Sequence, residues 1–564
     1  MKKTIYTLSL LFITLATLTG CKKELIEENH SKLTEDFFAT SQGIESGLNA
    51  AYGGLRTIYG PEEGLEAFTT IGTDEFRIAN GNRTTNVANY NTSFNSGNEF
   101  SAIIWDNCYK WINTCNGLVD FGANLTGVTE AVKMQKIAEA KFLRAFYYFT
   151  LVQLFGDVTL NKNFSNSPKT SASRDSKVDV YNFIISDLKT CITDLSPSPQ
   201  LNALQNGRAS VAAAKHLLAK VYLTRGYSSA VVQSDFKDAF DMAKGLIDQK
   251  GALAIGLMPD FADVFKPGNE SKQEVLFNVQ YSRDLTFGGS HTWNHLYVAP
   301  YDAYLGERNL NDGRSFAWFR ATKWVYETAF ADKVNDSRYY KTFQSVWKAT
   351  KALNQTGTGT YAVKVNGTTY NVNLPKVNVG DTAMVYPGYN MGIDEIRAKK
   401  YYVFTPENYT DNRIFPTMTK YLDPNRLVPN ENSHRPIIVF RLAETYLIAA
   451  EAAFKLQQPD VAVGYINEVR RRAATAGKQA QMEITAAAVN IDFILDERTR
   501  ELCAENTRWF DLVRTGKLVE RVKAYDDYEA KKNIQDFHVL RPIPLSQINA
   551  VTTGTPYPQN DGWY

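Results

Sequence analysis

The sequence has little of what marks several large classes of protein. Five cysteines in 564 residues are too few for a disulfide-dense fold, and they show no zinc-ligand spacing. Neither charge is in excess, with 62 basic and 60 acidic residues, and there is no run of lysine or arginine. The sequence therefore gives no electrostatic basis for binding nucleic acid, or anionic lipid through a polybasic patch.

Long apolar runs are also missing after the first 20 residues. The richest later stretch, 142–154, contains Arg144 and Gln153, so we expect no membrane-spanning helix there. At the start, Lys2 and Lys3 precede an apolar stretch at 5–18, and small residues precede Cys21. This order predicts a bacterial lipoprotein signal peptide at 1–20 and a lipid on Cys21, the alternative being an ordinary signal peptide with a chance cysteine.

Loss of that signal peptide makes the chain formally neutral. Lys2 and Lys3 are lost with it, so the 62 basic residues become 60, against 60 acidic ones. Four cysteines then remain besides Cys21. Cys108 and Cys115 share a predicted helix at about 10 Å separation, beyond disulfide reach. We expect buried free thiols, with a bridge between Cys191 and Cys503 as the open alternative.

Apolar residues recur at helical spacing in eight segments, which predicts a mainly α fold of about four helix pairs. Ser210 and Asp235 are the predicted N-caps of two of these helices, and Pro459 the predicted start of another. The pairs resemble tetratricopeptide units without their strict consensus, and a generic helical domain is the alternative. The predicted segments are 44–55, 104–119, 138–152, 181–195, 211–221, 235–246, 438–456 and 461–473.

The remaining sequence predicts loops folded over one face of this scaffold. A lipidated polar tether at 21–40 precedes the N-terminal helices at 41–250, which a loop region at 61–100 interrupts. Residues 251–434 are rich in glycine, asparagine and aromatics, with strand-like alternation at 360–374, and predict an irregular insertion that is functional. Residues 435–564 supply further helices and a tail that complete a single domain.

Several segments resemble the SusD/RagB family, the lipoproteins that accompany SusC-like TonB-dependent transporters in Bacteroidetes-type bacteria. They are FLRAFYYFTLVQLFGDV at 142–158, RLAETYLIAAEA at 441–452, INEVRRRA at 466–473, ILDERTRELCAENTRWFDLVRTG at 494–516, LRPIPLSQI at 540–548 and the final YPQNDGW. The resemblance implies an outer-membrane, surface-facing lipoprotein without catalytic activity. It also implies that the helix pairs contact the transporter and that the protein delivers bound oligosaccharide or polysaccharide to it.

Aromatic residues make up 12% of the chain, and tyrosine and tryptophan rings stack well on sugars. In a glycine-flanked loop, Trp293, Tyr297, Tyr301 and Tyr304 form the leading predicted glycan platform, and Trp318 ranks below them. In the early loop, Asp74, Arg77, Asn80 and Tyr90 are predicted to hydrogen-bond sugar hydroxyls. The alternatives are that each ring packs in the core and that Asp74 caps a turn.

Other clusters have residue types found in catalytic or metal sites. Glu497 and Glu501 have acid/base spacing, but the arginines among them favour an ion-pair network. His291 and His295 lack the glutamate of a zinc protease helix, and the Asn311–Gly313 segment lacks the remaining ligands of a calcium loop. We therefore expect no cofactor, no metal and no enzyme. A peptide-binding scaffold and, last, a surface glycoside hydrolase are the competing functions.

Overall fold

The computed structural model describes residues 35–201, 206–284, 288–409 and 412–563. The predicted signal peptide, Cys21 and most of the tether lie outside the described residues. The longer helices are α1 Ser41–Gly54, α2 Glu99–Gly122, α3 Glu130–Phe155, α4 Lys177–Asp194, α5 Val211–Gly226, α6 Asp235–Asp248, α7 Leu442–Lys455, α8 Pro459–Ala473, α9 Ile491–Leu502, α10 Arg508–Arg514 and α11 Leu518–Tyr525.

Shorter α-helices and strands fill the connections. The helices are Glu35–Phe38, Leu65–Thr69, Thr85–Ala88, Trp293–Leu296, Asp302–Leu305, Arg338–Thr342, Ile393–Arg397, Gln479–Met482, Ala530–Asn533 and Leu545–Ala550. The strands are β1 Phe76–Ile78, β2 Val275–Val279, β3 Phe319–Ala321, β4 Val346–Lys348, β5 Thr360–Val365, β6 Thr368–Asn373, β7 Thr382–Val385, β8 Tyr402–Val403 and β9 Ile437–Arg441.

The predicted helix pairs are confirmed. Helix α1 packs on α2, α3 on α4, α5 on α6, and α7 on α8, while α6 and α7 join the third pair to the fourth across the long insertion. A mainly α, tetratricopeptide-like scaffold is therefore assembled from segments that are distant in sequence. Among the described residues, no helix combines the length and apolar character needed to cross a bilayer.

Local sequence signals explain several helix ends. The hydroxyl of Ser210 accepts a hydrogen bond from the Ala213 amide and caps α5, and Pro459 is the first residue of α8, both as predicted. The prediction that Asp235 caps α6 is wrong. Asp235 is the first helical residue, and its carboxylate pairs with Arg225, which lies 10 residues earlier.

Helix α3 forms the centre of the scaffold. Between residues 137 and 155 only Lys141 and Gln153 are not buried, so the helix is enclosed on nearly all sides. Phe146 on this helix packs its ring against Phe277 of β2 and Phe440 of β9, with centroids 6.3 and 5.8 Å away. The core therefore unites the N-terminal helices, the insertion and the C-terminal part.

The insertion contains short antiparallel ribbons and one three-stranded sheet, β4–β7–β8, in which β7 and β8 are parallel. β1 pairs with β3 and β2 with β9, which ties the early loop and the C-terminal part to the insertion. The predicted strand at 360–374 is the β5–β6 hairpin. Asn366 and Gly367 at its turn both have positive φ, 51° and 81°, as the two-residue hairpin turn of type I′ requires.

Two expectations about the termini and cysteines have clear outcomes. The folded body begins inside the segment predicted as a tether, because Phe38 is fully buried and stacks on Phe121. The four cysteines after Cys21 are buried and free, which confirms the leading prediction and leaves no bridge between Cys191 and Cys503.

Candidate functional site

The predicted ring platform is largely buried. Trp293 is 0% exposed, with Tyr421 at 5.1 Å and Tyr59 at 6.3 Å between ring centroids. Tyr297 lies between Phe76 and Phe319, at 5.2 and 5.5 Å. No ring face of Trp293 or Tyr297 is open to a ligand, so their assignment to the platform is wrong for this structure.

Trp293 and Tyr297 are buried because a second segment covers the loop that carries them. The amides of Phe316, Ala317 and Trp318 donate hydrogen bonds to the carbonyls of residues 295, 298 and 296. The 316–318 segment thus forms an outer layer, and the 293–297 loop becomes the layer beneath it. Sequence distance alone could not indicate which of the two aromatic segments lies outside.

The other two rings of the predicted platform have different environments. Tyr301 is buried, and its hydroxyl donates to the Gly313 carbonyl and accepts from the Asn309 amide. Its assignment is also wrong. Tyr304 is partly exposed and lies against Tyr402 and Phe404, with centroids 5.6 and 4.8 Å away. Tyr304 is the one ring of these four that is partly exposed.

Asp74 is a structural carboxylate, which corrects its prediction as a sugar ligand. It is fully buried and pairs with Arg508 and Arg521, each at 2.6 Å. Burial by itself would raise the pKa of Asp74, but the two arginines hold it below its ordinary value. The carboxylate is therefore ionised and enclosed, with no path to a ligand.

Arg77 and Tyr90 are also engaged inside the protein. Arg77 is 4% exposed, pairs with Asp527 at 2.8 Å and lies under the ring of Tyr528. The hydroxyl of Tyr90 donates to the Gly72 carbonyl at 2.7 Å, and the residue is 3% exposed. Neither side chain is free to bind hydroxyls, so both predictions are wrong for this structure.

Two of the predicted residues do meet at the surface. The amide of Asn80 donates to the Ala317 carbonyl at 3.0 Å, and the amide of Ala79 to the Trp318 carbonyl at 2.7 Å. This pairing extends the β1–β3 ribbon and brings Asn80, which is exposed, beside Trp318, which is partly exposed.

Phe316 is the residue here that sequence reasoning missed. Its ring centroid lies 4.6 Å from that of Trp318, at an interplanar angle of 33°, and the Arg314 guanidinium lies 4.8 Å from its centre. The sequence signal was a pair of aromatic residues on either side of Ala317, but Ala317 has a φ of 51°, so strand alternation does not explain why the two rings meet. We call Asn80, Arg314, Phe316 and Trp318 the Trp318 rim.

The carboxylates with acid/base spacing form an ion-pair network, as favoured from the sequence. Glu501 is fully buried and pairs with Arg338, Arg441 and Arg472, while Glu497 pairs with Arg338, Arg470 and Arg500. Burial by itself raises the pKa of Glu501, yet the arginines lower it to about 2; the pKa of Glu497 is also lowered. A general acid needs the opposite shift.

The candidate metal ligands also have internal partners. Nε2 of His291 lies 3.1 Å from the Arg435 carbonyl, and burial lowers the pKa of His291 to about 3 and that of His295 to about 4. Asp312 accepts from Asn309 and Gln344. Within the described ranges, no cluster of histidine, cysteine and carboxylate side chains has the geometry of a metal site.

Two sizeable cavities lie on another part of the surface. A groove of about 740 Å³ runs along the end of α1, lined among others by Tyr52, Arg56, Trp111 and Gln280. A second cavity of about 380 Å³ continues from Arg56 past Glu62 and the 288–292 segment. Neither includes a residue of the Trp318 rim.

The family comparisons agree with this fold. A family model described as the SusD family matches residues 225–563, and one described as "Starch-binding associating with outer membrane" matches residues 25–223. SusD-like protein P25 of Formosa agariphila is 26% identical, over 93% of each chain. Starch-binding protein SusD of Bacteroides thetaiotaomicron is also 26% identical, over 75% of this chain and 72% of that protein.

Solved structures share the fold across nearly the whole chain. A SusD homologue from Bacteroides thetaiotaomicron superposes with a TM-score of 0.71 at 18% identity, covering 94% of this chain and 98% of that one. A laminarin-binding SusD-like protein gives a TM-score of 0.65 at 21% identity, covering 93% and 100%. With a family model that spans more than half of its residues and a helix-pair scaffold to match, the chain belongs to the SusD family.

Proposed function

We propose that the protein binds a saccharide at the Trp318 rim and delivers it to a SusC-like TonB-dependent transporter. The observation that carries the proposal is the pair of partly exposed rings, Phe316 and Trp318, in a segment that pairs through its backbone with the exposed residue Asn80. Exposed aromatic rings bind the apolar faces of sugars, and a side-chain amide both donates and accepts hydrogen bonds with hydroxyls. Tyr304 is a further candidate contact.

The names of relatives support a saccharide as the ligand. One relative is called a starch-binding protein, and one protein of the same fold is called laminarin binding. These two glycans differ, so we propose only the class of ligand for this chain. A peptide-binding scaffold is the competing function, and no contact among the described residues favours it.

We further propose attachment to the outer membrane through a lipid on Cys21, with the protein on the cell surface. The signal-like sequence at 1–20 supports this location, as do Glu24, Glu27 and Glu28, which follow Lys22 and Lys23 after Cys21, and the family description that mentions the outer membrane. The Lys/Arg content gives no second electrostatic anchor, so we expect acylation at Cys21 to hold the protein there.

We propose that the protein has no catalytic role. The best-spaced carboxylates, Glu497 and Glu501, are buried and held ionised by arginines, so neither can donate a proton at neutral pH. At the Trp318 rim, Asn80 offers an amide, which neither attacks nor protonates a glycosidic bond. Product release from a bound glycan would contradict this part of the proposal.

Affinity electrophoresis of the detergent-solubilised protein against a panel of plant, host and microbial polysaccharides tests the binding site. We expect at least one polysaccharide to retard the protein and Trp318→Ala to abolish the retardation. Tyr389→Ala is the matched control, because Tyr389 is 57% exposed and removed from the rim in sequence. Equal retardation of both variants, or none for any polysaccharide, would reject the rim as the site.

Delivery is tested separately by purification from solubilised outer membranes. We expect a TonB-dependent transporter to co-purify with the protein. Loss of the transporter from the preparation under mild detergent, with the protein still in the membrane fraction, would argue against delivery while leaving saccharide binding intact.

A further inference from the structure

The groove at the end of α1 has the chemistry of a ligand site. We call it the Arg56 groove, lined by Asn49, Tyr52, Arg56, Trp111, Asn278 and Gln280 with neighbouring backbone. Its volume of about 740 Å³ lies within the range of small-ligand sites. It shares no lining residue with the Trp318 rim.

Arg56 is the charged residue of this groove that has no carboxylate partner among the described residues. Its Nη1 donates to the Gln280 carbonyl at 3.2 Å, and within the described part of the chain no carboxylate lies in ion-pair range of it. A guanidinium has five N–H donors, so four point away from this bond. Arg208, the other arginine of the groove, is instead neutralised by Glu139 at 2.8 Å and by Glu45.

The groove also offers unused hydrogen-bonding groups around Arg56. The carboxamide N–H groups of Asn49 and the carboxamide oxygen of Gln280 have no partner among the described residues, since each side chain bonds only through its other amide atom. Asn49 is exposed and Gln280 is partly exposed, so these atoms can hydrogen-bond a polar ligand.

The Trp111 side chain is held firmly. A Cβ on Gly54 would lie 2.4 Å from atoms of the indole, so the backbone of α1 must contact the ring directly. The ring of Tyr52 completes the floor, while its hydroxyl is taken up by Glu139 at 2.9 Å. The groove therefore has a rigid aromatic floor and amide-bearing walls, with one uncompensated positive charge.

The acidic residues that line the two cavities lie on one side of Arg56. The cavity beyond it contains Glu62 and Glu63, whereas the described residues that line the Arg56 groove include no acidic residue. A ligand carboxylate would therefore lie in the groove, and further sugar units of a chain would extend along it.

We propose that the Arg56 groove binds the carboxylate of an acidic saccharide, such as a uronic acid unit, at a site separate from the Trp318 rim. Arginine donates two parallel hydrogen bonds to a carboxylate, and the side-chain amides of Asn49 and Gln280 hydrogen-bond the sugar hydroxyls. The proposal rests on the proposed saccharide-binding function and adds a ligand class and a second site to it.

Calorimetric titration of the detergent-solubilised full-length protein tests the groove. The probes are oligosaccharides of galacturonate, of mannuronate and of hyaluronan, with methyl-esterified oligogalacturonate as the uncharged counterpart. We expect at least one acidic probe to bind, with about tenfold or greater loss of affinity in Arg56→Gln, because a charged hydrogen-bonded pair is removed. The ester is expected to bind correspondingly less tightly.

Two further variants keep the result interpretable. Gln280→Glu keeps the shape of its side chain and adds a negative charge to the lining of the groove, so it is expected to weaken binding of a carboxylate even if Arg56→Gln folds poorly. Arg397→Gln is the matched control, since Arg397 is exposed and, among the described residues, its one ion pair is with Asp394 at 3.5 Å. It is expected to bind like the unchanged protein.

The outcomes separate this proposal from the first one. Binding of no acidic probe, or acid binding that survives both Arg56→Gln and Gln280→Glu, overturns the groove. Acid binding that is lost in Trp318→Ala and kept in Arg56→Gln overturns it as well, and leaves the Trp318 rim supported. Failure of both neutral and acidic saccharides to bind would overturn the two proposals together.

Discussion

Arg508 and Asp74 form a two-point ion pair, with Nε and Nη2 of the arginine 2.7 and 2.6 Å from the two carboxylate oxygens. They lie 434 residues apart in sequence. The pair fastens the early loop, just before β1, to the start of α10. Asp74, which the sequence suggested as a sugar ligand, is thus a buried residue. It joins the early loop to the C-terminal helices.

The first prediction concerns this pair. Asp74→Asn removes the charge between two buried arginines, Arg508 and Arg521, and we expect it to lower the free energy of unfolding by about 3–5 kcal/mol. Urea denaturation measures the change. Asp241→Asn, at an exposed pair with Lys237, is the control and is expected to leave the urea midpoint unchanged. Unaltered stability with lost saccharide binding would instead make Asp74 a ligand residue.

The second prediction concerns acid stability. Arginines lower the pKa of Glu501 to about 2 in the folded protein, against an ordinary value of 4.5. Its contribution to stability is therefore complete above about pH 4.5 and is lost as the pH falls towards 2. We expect Glu501→Gln to be less stable than the unchanged protein at pH 7, with a difference that shrinks below pH 4.5.

Thermal unfolding between pH 7 and pH 2.5 measures this difference. Glu520→Gln serves as the control, because the side chain of Glu520 is 64% exposed and contacts only Lys517. A stability difference for Glu501→Gln that stays constant across the whole pH range would contradict the prediction.

The third prediction separates the two tryptophans. Trp293 is fully buried, so Trp293→Ala is expected to cost about 3–5 kcal/mol of stability through the cavity it leaves. Trp318 is partly exposed, and Trp318→Ala is expected to cost less and to act on saccharide binding. Chemical denaturation of both variants measures the loss of stability, and affinity electrophoresis measures saccharide binding. A stable Trp293→Ala protein that has lost glycan binding would show that Trp293 belongs to the glycan site, as predicted from the sequence.

The fourth prediction counts thiols. Cys108, Cys115, Cys191 and Cys503 are buried, and burial raises the pKa of each thiol, so none is expected to react with a thiol reagent in the native protein. After unfolding, four thiols should react if Cys21 carries a lipid, because its sulfur is then a thioether. Five reactive thiols in the unfolded full-length protein would show that Cys21 is unmodified.

Much of the scaffold was predictable because its determinants are local. Helical periodicity identified the four pairs, Ser210 and Pro459 marked where two helices begin, and Asn366 with Gly367 set the hairpin turn. Asp235 shows the limit of such signals. Its carboxylate suits a cap, but a tertiary partner, Arg225, takes it instead.

The candidate site was predicted only in part, because exposure depends on which segment forms the outer layer. Asn80, Tyr304 and Trp318 reach the surface, while Trp293 and Asp74, with similar side chains, are buried. The Arg56 groove had no sequence signal, since its walls come from α1, α2, the segment before α5 and the end of β2.

The sequence by itself therefore determined the helices, the insertion between them and the family, since periodicity, caps and motifs are properties of neighbouring residues. Only the tertiary structure decided which rings and charges serve the core and which face solvent. The reason is physical: burial and ion pairing are set by the residues that pack against a side chain, as Arg508 packs against Asp74. A stretch of sequence does not contain those partners.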